Sequence, residues 1–170
     1  NEGQRVTEVP SGIVNRIGLQ NPGAEVVVEE LLPLLLRYNV PVVVNIWGHT
    51  IEEYGEVARR LSDSPVVAGL EVNISCPNIK RGGSSFGQDP VEAAKVVSTV
   101  RRATKLVVIS KLTPNVASVV PVGKAVVEAG ADALSLNTIK ARAKLWSNPG
   151  RGQYVVGGIS GPCIRAIAVE

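Results

Sequence analysis

The chain contains no methionine, one phenylalanine, one histidine and two cysteines. Each shortage excludes something. Cys76 and Cys163 stand far apart and lack metal-ligand spacing, so neither a disulfide framework nor a zinc site fits. An iron–sulfur cluster needs about four cysteines and finds no ligand set here. So little cysteine suits a reducing, cytoplasmic setting. With no methionine even at position 1, the expectation is a chain whose natural start has been lost or processed away.

An excess of one charge is missing too. Against 15 acids stand 18 lysines and arginines, a net charge of +3, and the basic residues are scattered. No nucleic-acid partner is expected from that pattern. Long hydrophobic runs are also absent. The most apolar stretch, Val26 to Val44, is broken by Glu29, Glu30, Arg37 and two prolines. It is too polar to span a membrane. The first residues, "NEGQRVTEVP", are polar and do not read as a signal peptide.

What is present is a globular composition, 45% hydrophobic, long enough for one core or part of a larger one. Its middle alternates strands and helices. Asn21 and Pro22 open a helix that runs to about Tyr38. "VPVVVNIW" (Val40 to Trp47) is a buried β-branched strand. Thr50 and Glu53 form a capping box ahead of Ile51, Tyr54, Ala58 and Leu61 at helical spacing. "LEVNIS" (Leu70 to Ser75) is the next strand, followed by a loop with Gly82, Gly83 and Gly87. Asp89 and Pro90 start a helix that buries Ala93, Val96, Val97 and Val100. "LVVISKL" (Leu106 to Leu112) is a third strand, Asn115 caps a helix ending at Gly130, and "ALSLN" (Ala133 to Asn137) is a fourth strand.

This order predicts a parallel sheet with right-handed crossovers, either doubly wound or closed as a barrel. Strand parity favours the barrel. Leu70, Val72 and Ile74 face one way, while Glu71, Asn73 and Ser75 face the other. The same parity sets Asn45, Asn73, Lys111 and Asn137 at the C-terminal ends of four successive strands, where a (β/α)8 barrel builds its active site. One such residue alone would read as a satisfied buried amide; four together read as a site.

Cys76 follows the second strand, beside Pro77, at an exposed mouth. It is either a small buried hydrophobe, a nucleophile paired with His49, or a general base with no histidine partner. His49 by itself reads more readily as a solvated loop residue. Lys111 ends an apolar strand and needs an anion, because an unpaired buried ammonium is costly. That anion is either Glu71 or a cofactor edge such as N1/O2 of a reduced flavin. "GGISGP" (Gly157 to Pro162) reads as a glycine turn opening a helix, a weak phosphate-site signal when alone.

Six motifs occur in order: "NRIGLQNPG" (Asn15 to Gly23), "NISCPN" (Asn73 to Asn78), "FGQDP" (Phe86 to Pro90), "KLTPN" (Lys111 to Asn115), "GADALSLNT" (Gly130 to Thr138) and "GGISGP". Together they cover almost the whole chain, which resembles the catalytic subunit of class 1B dihydroorotate dehydrogenase. The resemblance implies a TIM (β/α)8 barrel. Residues 1–170 would be its central part, about strands 3 to 6 with their helices, lacking the N-terminal and C-terminal barrel strands. It implies that (S)-dihydroorotate is oxidised to orotate in pyrimidine biosynthesis. Cys76 would take a proton from C5 as hydride leaves C6 for FMN.

By the same resemblance Asn15, Arg16, Ile17, Gly18, Leu19, Asn73, Asn78, Asn137 and Thr138 contact the substrate. Asn45, Asn73, Lys111, Leu136 and Gly161 contact FMN. No metal is implied. Expected partners are a second copy of the subunit and an electron-transfer subunit carrying FAD and a 2Fe-2S cluster, which passes electrons to NAD. Two stretches depart from the family pattern: "SLNT" is one residue shorter than usual, and "IKARAKLW" (Ile139 to Trp146) replaces a more apolar segment. The alternatives are a related FMN barrel acting on another dihydropyrimidine, whose loop usually has histidine where Asn78 stands, and a non-catalytic barrel remnant.

Overall fold

The computed structural model describes residues 5–75, 86–145 and 153–168. Strands β1 (Val6–Val9) and β2 (Gly12–Asn15) form a hairpin. Its two-residue turn places Pro10 first and holds Ser11 at φ 65, the backbone a tight turn of this kind demands at its second central residue.

A helical stretch follows over residues 24–38, but it is not regular. It runs as α1 (Ala24–Val26), a π turn (Val27–Leu31), α2 (Leu32–Leu35) and a 3-10 turn (Leu36–Tyr38). Pro33 supplies the reason. It has no N–H to give, and its ring crowds the carbonyl four residues earlier, so the ladder widens just ahead of it. The stretch starts two residues later than Asn21 and Pro22 suggest, because Gly23 sits at φ 96 outside helical space. Asn39, left-handed at φ 51, ends it.

Next come β3 (Val42–Ile46) and α3 (Ile51–Ser62). The Thr50 hydroxyl accepts from the Glu53 N–H at 3.3 Å, and the Glu53 carboxylate accepts from the His49 N–H at 2.6 Å. The capping box therefore closes one residue earlier than its usual form. Strand β4 (Val67–Asn73) leads, through a 3-10 turn (Phe86–Gln88), to α4 (Pro90–Ala103). Asp89 caps α4, accepting from the N–H groups of Val91 and Glu92 at 2.8 and 3.2 Å.

Strand β5 (Val107–Leu112) precedes α5 (Val120–Glu128). Asn115 does not cap that helix. Its side chain donates to the Thr113 hydroxyl at 2.9 Å, and the helix starts five residues on, where Pro121 occupies its first turn. Gly130, at φ 106, is the left-handed residue past the helix end. Then come β6 (Ala133–Leu136), β7 (Ile139–Leu145), β8 (Gln153–Ser160), a 3-10 turn (Pro162–Ile164) and α6 (Arg165–Ala168).

The chain divides into two compact units, residues 22–135 and residues 1–21 with 136–170. The first is α/β. Its sheet has the order β3-β4-β5-β6, with β3, β4 and β5 parallel. Leu70 and Val72 of β4, Ile74 just past its end and Val108 of β5 are buried, as are Tyr54, Ala58 and Leu61 of α3 and Val96, Val97 and Val100 of α4. Each fully buried valine or leucine contributes about 1.5–3 kcal/mol relative to exposure, so this helix-covered side is the core.

A side-chain staple closes the turn from α4 to β5. Arg101 donates to the carbonyls of Thr104 and Leu106 at 2.6 and 2.8 Å and pairs with Asp132 at 3.0 Å. Asp132 also accepts from the Val108 N–H at 2.8 Å.

The second unit is an antiparallel sheet of order β1-β2-β8-β7, which strand reading of the sequence did not anticipate. The glycines of "GGISGP" serve it as strand residues. A Cβ on Gly157 would lie 2.4 Å from the Asn15 carbonyl oxygen, and one on Gly158 would lie 2.1 Å from the Thr138 methyl. Only Gly161 takes a turn conformation, at φ 115, ahead of the 3-10 turn. Among the described residues no helix is long and apolar enough to cross a membrane.

Candidate functional site

Register decides what the open face of the parallel sheet carries. Val43, Gly69 and Val107 form one row across β3, β4 and β5. Two residues further along, Asn45, Glu71 and Ile109 form the next. Above that, Asn73 stands beside Lys111. The face is thus apolar toward the strand N-termini and polar toward their C-terminal ends.

Two hydrogen-bonded groups occupy the polar rows. In the first, Glu71 accepts from the Asn45 amide through one oxygen and from the Ser135 hydroxyl, at 2.6 Å, through the other. Three strands meet at this carboxylate. In the second, the Asn73 Oδ1 accepts from the Ser75 N–H at 3.2 Å and from the Ser75 hydroxyl at 2.7 Å. Lys111 Nζ donates to the same hydroxyl at 3.2 Å. Lys111 is half-buried, and Asn73 is only 5% exposed.

From the helix side, α3 fixes the end of β4. Tyr54 is fully buried, and its hydroxyl donates to the Asn73 carbonyl at 2.8 Å. Its ring meets Phe86 edge to face, with centroids 6.0 Å apart. Gly87 lies so close to β4 that a Cβ there would approach the Ile74 carbonyl oxygen to 2.4 Å. Ser75 and Phe86, the described residues flanking "CPNIKRGGSS", are thereby both tied to the C-terminal end of β4 and its helix.

Of the residues expected at a site, Asn45, Asn73 and Lys111 come together on this face. Glu71 binds Asn45 and Ser135, while Lys111 meets Ser75. Leu136 ends β6, half-buried. Cys76 and Asn78 lie outside the described residues. His49 is exposed, its ring edge-on to Trp47 at 4.5 Å. Sequence reasoning missed Ser75 and Ser135 as members of the site. Both carried a signal, since Ser75 alternates with Asn73 and Glu71, and Ser135 with Asn137.

The antiparallel unit carries the other expected residues. Asn15 ends β2, half-buried, its Nδ2 at 3.5 Å from the Gly158 carbonyl, a weak contact. Arg16 and Ile17 are exposed, Gly18 is left-handed at φ 76, and the Leu19 carbonyl accepts from Asn21 at 2.6 Å. Asn137 is exposed, and Thr138 lies half-buried against Gly158. Gly161 sits at the start of the 3-10 turn. Within this unit Asn15 and Thr138 therefore meet the same glycine of β8. Among the described residues no group of three or more His, Cys, Asp or Glu side chains could hold a metal ion.

Comparison with known proteins places this arrangement in a family. The catalytic subunit of dihydroorotate dehydrogenase B (NAD(+)) from Desulforudis audaxviator is 49% identical over 98% of this chain and 55% of its own length. The proteins of the same name from Pelobacter propionicus and Anoxybacillus flavithermus are 51% and 45% identical, each over 98% of this chain. The chain spans about half the length of these curated relatives. Among solved structures, the carboxyl transferase domain of Rhizobium etli pyruvate carboxylase gives a TM-score of 0.47 at 16% identity, over 62% of this chain and 18% of that one. That likeness is too loose to assign a fold. The dihydroorotate dehydrogenase family model matches residues 1–170, and the chain belongs to that family.

Proposed function

We propose that the protein containing this chain oxidises (S)-dihydroorotate to orotate in pyrimidine biosynthesis, as a class 1B catalytic subunit. The observation that carries this reading is the shared face of Asn45, Asn73 and Lys111. These are three residues the family resemblance assigns to one flavin, and they come from three different strands. Names of relatives about half identical over nearly the whole chain support the substrate and the link to NAD.

The residues suit FMN chemically. An isoalloxazine edge alternates N–H and carbonyl groups, and this face offers amide donors, amide acceptors and an ammonium. Lys111 suits the N1/O2 edge, where negative charge collects on reduction. Leu136 and Gly161 complete the assigned set. FMN supplies the hydride acceptor when bound.

The chain's own residues do the rest. Cys76 takes the C5 proton as general base. Asn15, Asn73, Asn78 and Asn137 hold the planar pyrimidine through amide hydrogen bonds, with Thr138 beside Asn137. Arg16, Ile17, Gly18 and Leu19 line the substrate. The polar C-terminal strand ends fit a (β/α)8 barrel, of which residues 1–170 would supply about strands 3 to 6. FAD and a 2Fe-2S cluster belong on a partner subunit, the catalytic subunit pairs with a second copy, and the setting is cytoplasmic.

The test is to purify the full-length protein with and without its coexpressed partner subunit and to measure orotate formation. NAD⁺-dependent orotate formation that needs the partner is the expected result. Efficient turnover with fumarate and no partner would place the protein in the soluble 1A class instead. No turnover of dihydroorotate with any acceptor would remove the activity altogether.

A further inference from the structure

We propose that Glu71 is a positioning residue that fixes the Asn45 amide so that its oxygen, not its nitrogen, faces the bound flavin. The inference rests on the flavin-binding reading above and deepens it. A carboxylate has no proton to donate, so the amide can only turn its NH₂ toward Glu71. The second Glu71 oxygen is held by the Ser135 hydroxyl at 2.6 Å, which keeps the carboxylate from swinging away. Asn45 and Glu71 are direct register partners on β3 and β4, so the contact follows from the backbone alignment itself. Asn73 is set the opposite way: its oxygen is taken by Ser75, which leaves its NH₂ as the outward group. Two asparagines on one sheet face thus present an acceptor and a donor respectively. A ligand edge meeting both must offer an N–H or O–H to Asn45 and an acceptor to Asn73.

The test uses the full-length protein and reads FMN affinity by fluorescence quenching, with the flavin absorption spectrum as a second readout. Glu71→Gln keeps an acceptor for Asn45 and should leave the dissociation constant within about threefold. Glu71→Leu removes the acceptor and should weaken FMN binding about tenfold, the scale of one hydrogen bond to a charged group. In an Asn45→Ala background, Glu71→Leu should have no further effect, because its influence runs through that amide. Effects that multiply in the double variant would overturn the proposal, as would unchanged FMN binding and spectrum in Glu71→Leu.

Should Glu71→Leu not fold, a polarity swap carries the same test. Asn45→Asp sets two carboxylates together and should lose FMN; adding Glu71→Gln, whose NH₂ can donate to Asp, should restore it to within about threefold. A double variant no better than the single would contradict the proposal. Wild-type protein that binds no FMN would overturn the flavin reading and this inference together. FMN binding by wild type with additive variants would sink this inference alone.

Discussion

Asn45 and Asn73 carry the same amide, yet their neighbours give them opposite chemistry. Tyr54→Phe removes the buried donor to the Asn73 carbonyl. It should cost about 1–3 kcal/mol, the penalty for a buried acceptor left unpaired, read as a lower melting temperature of the full-length protein. An unchanged melting temperature would mean that the carbonyl finds another donor. Cys76→Ser should slow flavin reduction by dihydroorotate by about 10²–10⁴-fold near neutral pH, the usual worth of a general base. Partial recovery is expected as pH rises. A thiol with an ordinary pKa of ~8.5 yields its base form far more readily than a hydroxyl does. A variant as fast as wild type at neutral pH would remove Cys76 from the chemistry.

At the scale of elements, backbone approach decides more than turn freedom. Gly158→Val would drive a side chain into Thr138, beside Asn15. It should disrupt the β2–β8 contact and weaken dihydroorotate binding more than FMN binding, measured as separate dissociation constants. Equal losses of both ligands would point to general unfolding instead. The same glycines explain why this sheet was hard to read from sequence. A glycine pair suggests a turn, and nothing local says that a strand backbone will lie against it.

Other features were legible. Alternation on β4, the Asp89 cap and the buried stripe of α4 follow from period and capping alone, and they place the polar rows on the correct face. The β7 pattern, with Ile139, Ala141, Ala143 and Leu145 alternating with Lys140, Arg142 and Lys144, is a strand signal that resemblance to another spelling obscured. The break in residues 24–38 was not legible beyond Pro33 itself, since a proline tells where a helix is disturbed but not whether it widens, kinks or ends. Glu71 was placed on the correct face, but parity cannot say which of several nearby donors a carboxylate takes.

For the whole molecule, apolar surface is the telling quantity. On the parallel unit Val43 and Val107 are 52% and 48% exposed, and Leu34, Leu36 and Tyr38 each exceed half. The row of Val43, Gly69 and Val107 lies on the same face as the polar rows. Apolar side chains left open on a sheet face promote association. The 170-residue chain expressed alone should therefore sediment above its monomer mass and bind FMN weakly. A stable monomer with tight stoichiometric FMN would require a closed fold within these residues.

In the proposed reaction a flavin on this sheet face takes hydride from dihydroorotate. Rapid mixing of the FMN-loaded, full-length protein with substrate under anaerobic conditions tests it most directly, followed by loss of the oxidised flavin absorbance. Full bleaching by dihydroorotate, slow or no bleaching by dihydrouracil, and rates that fall in Cys76→Ser are the expected results. A flavin that stays oxidised with dihydroorotate, or is reduced faster by dihydrouracil, would contradict it.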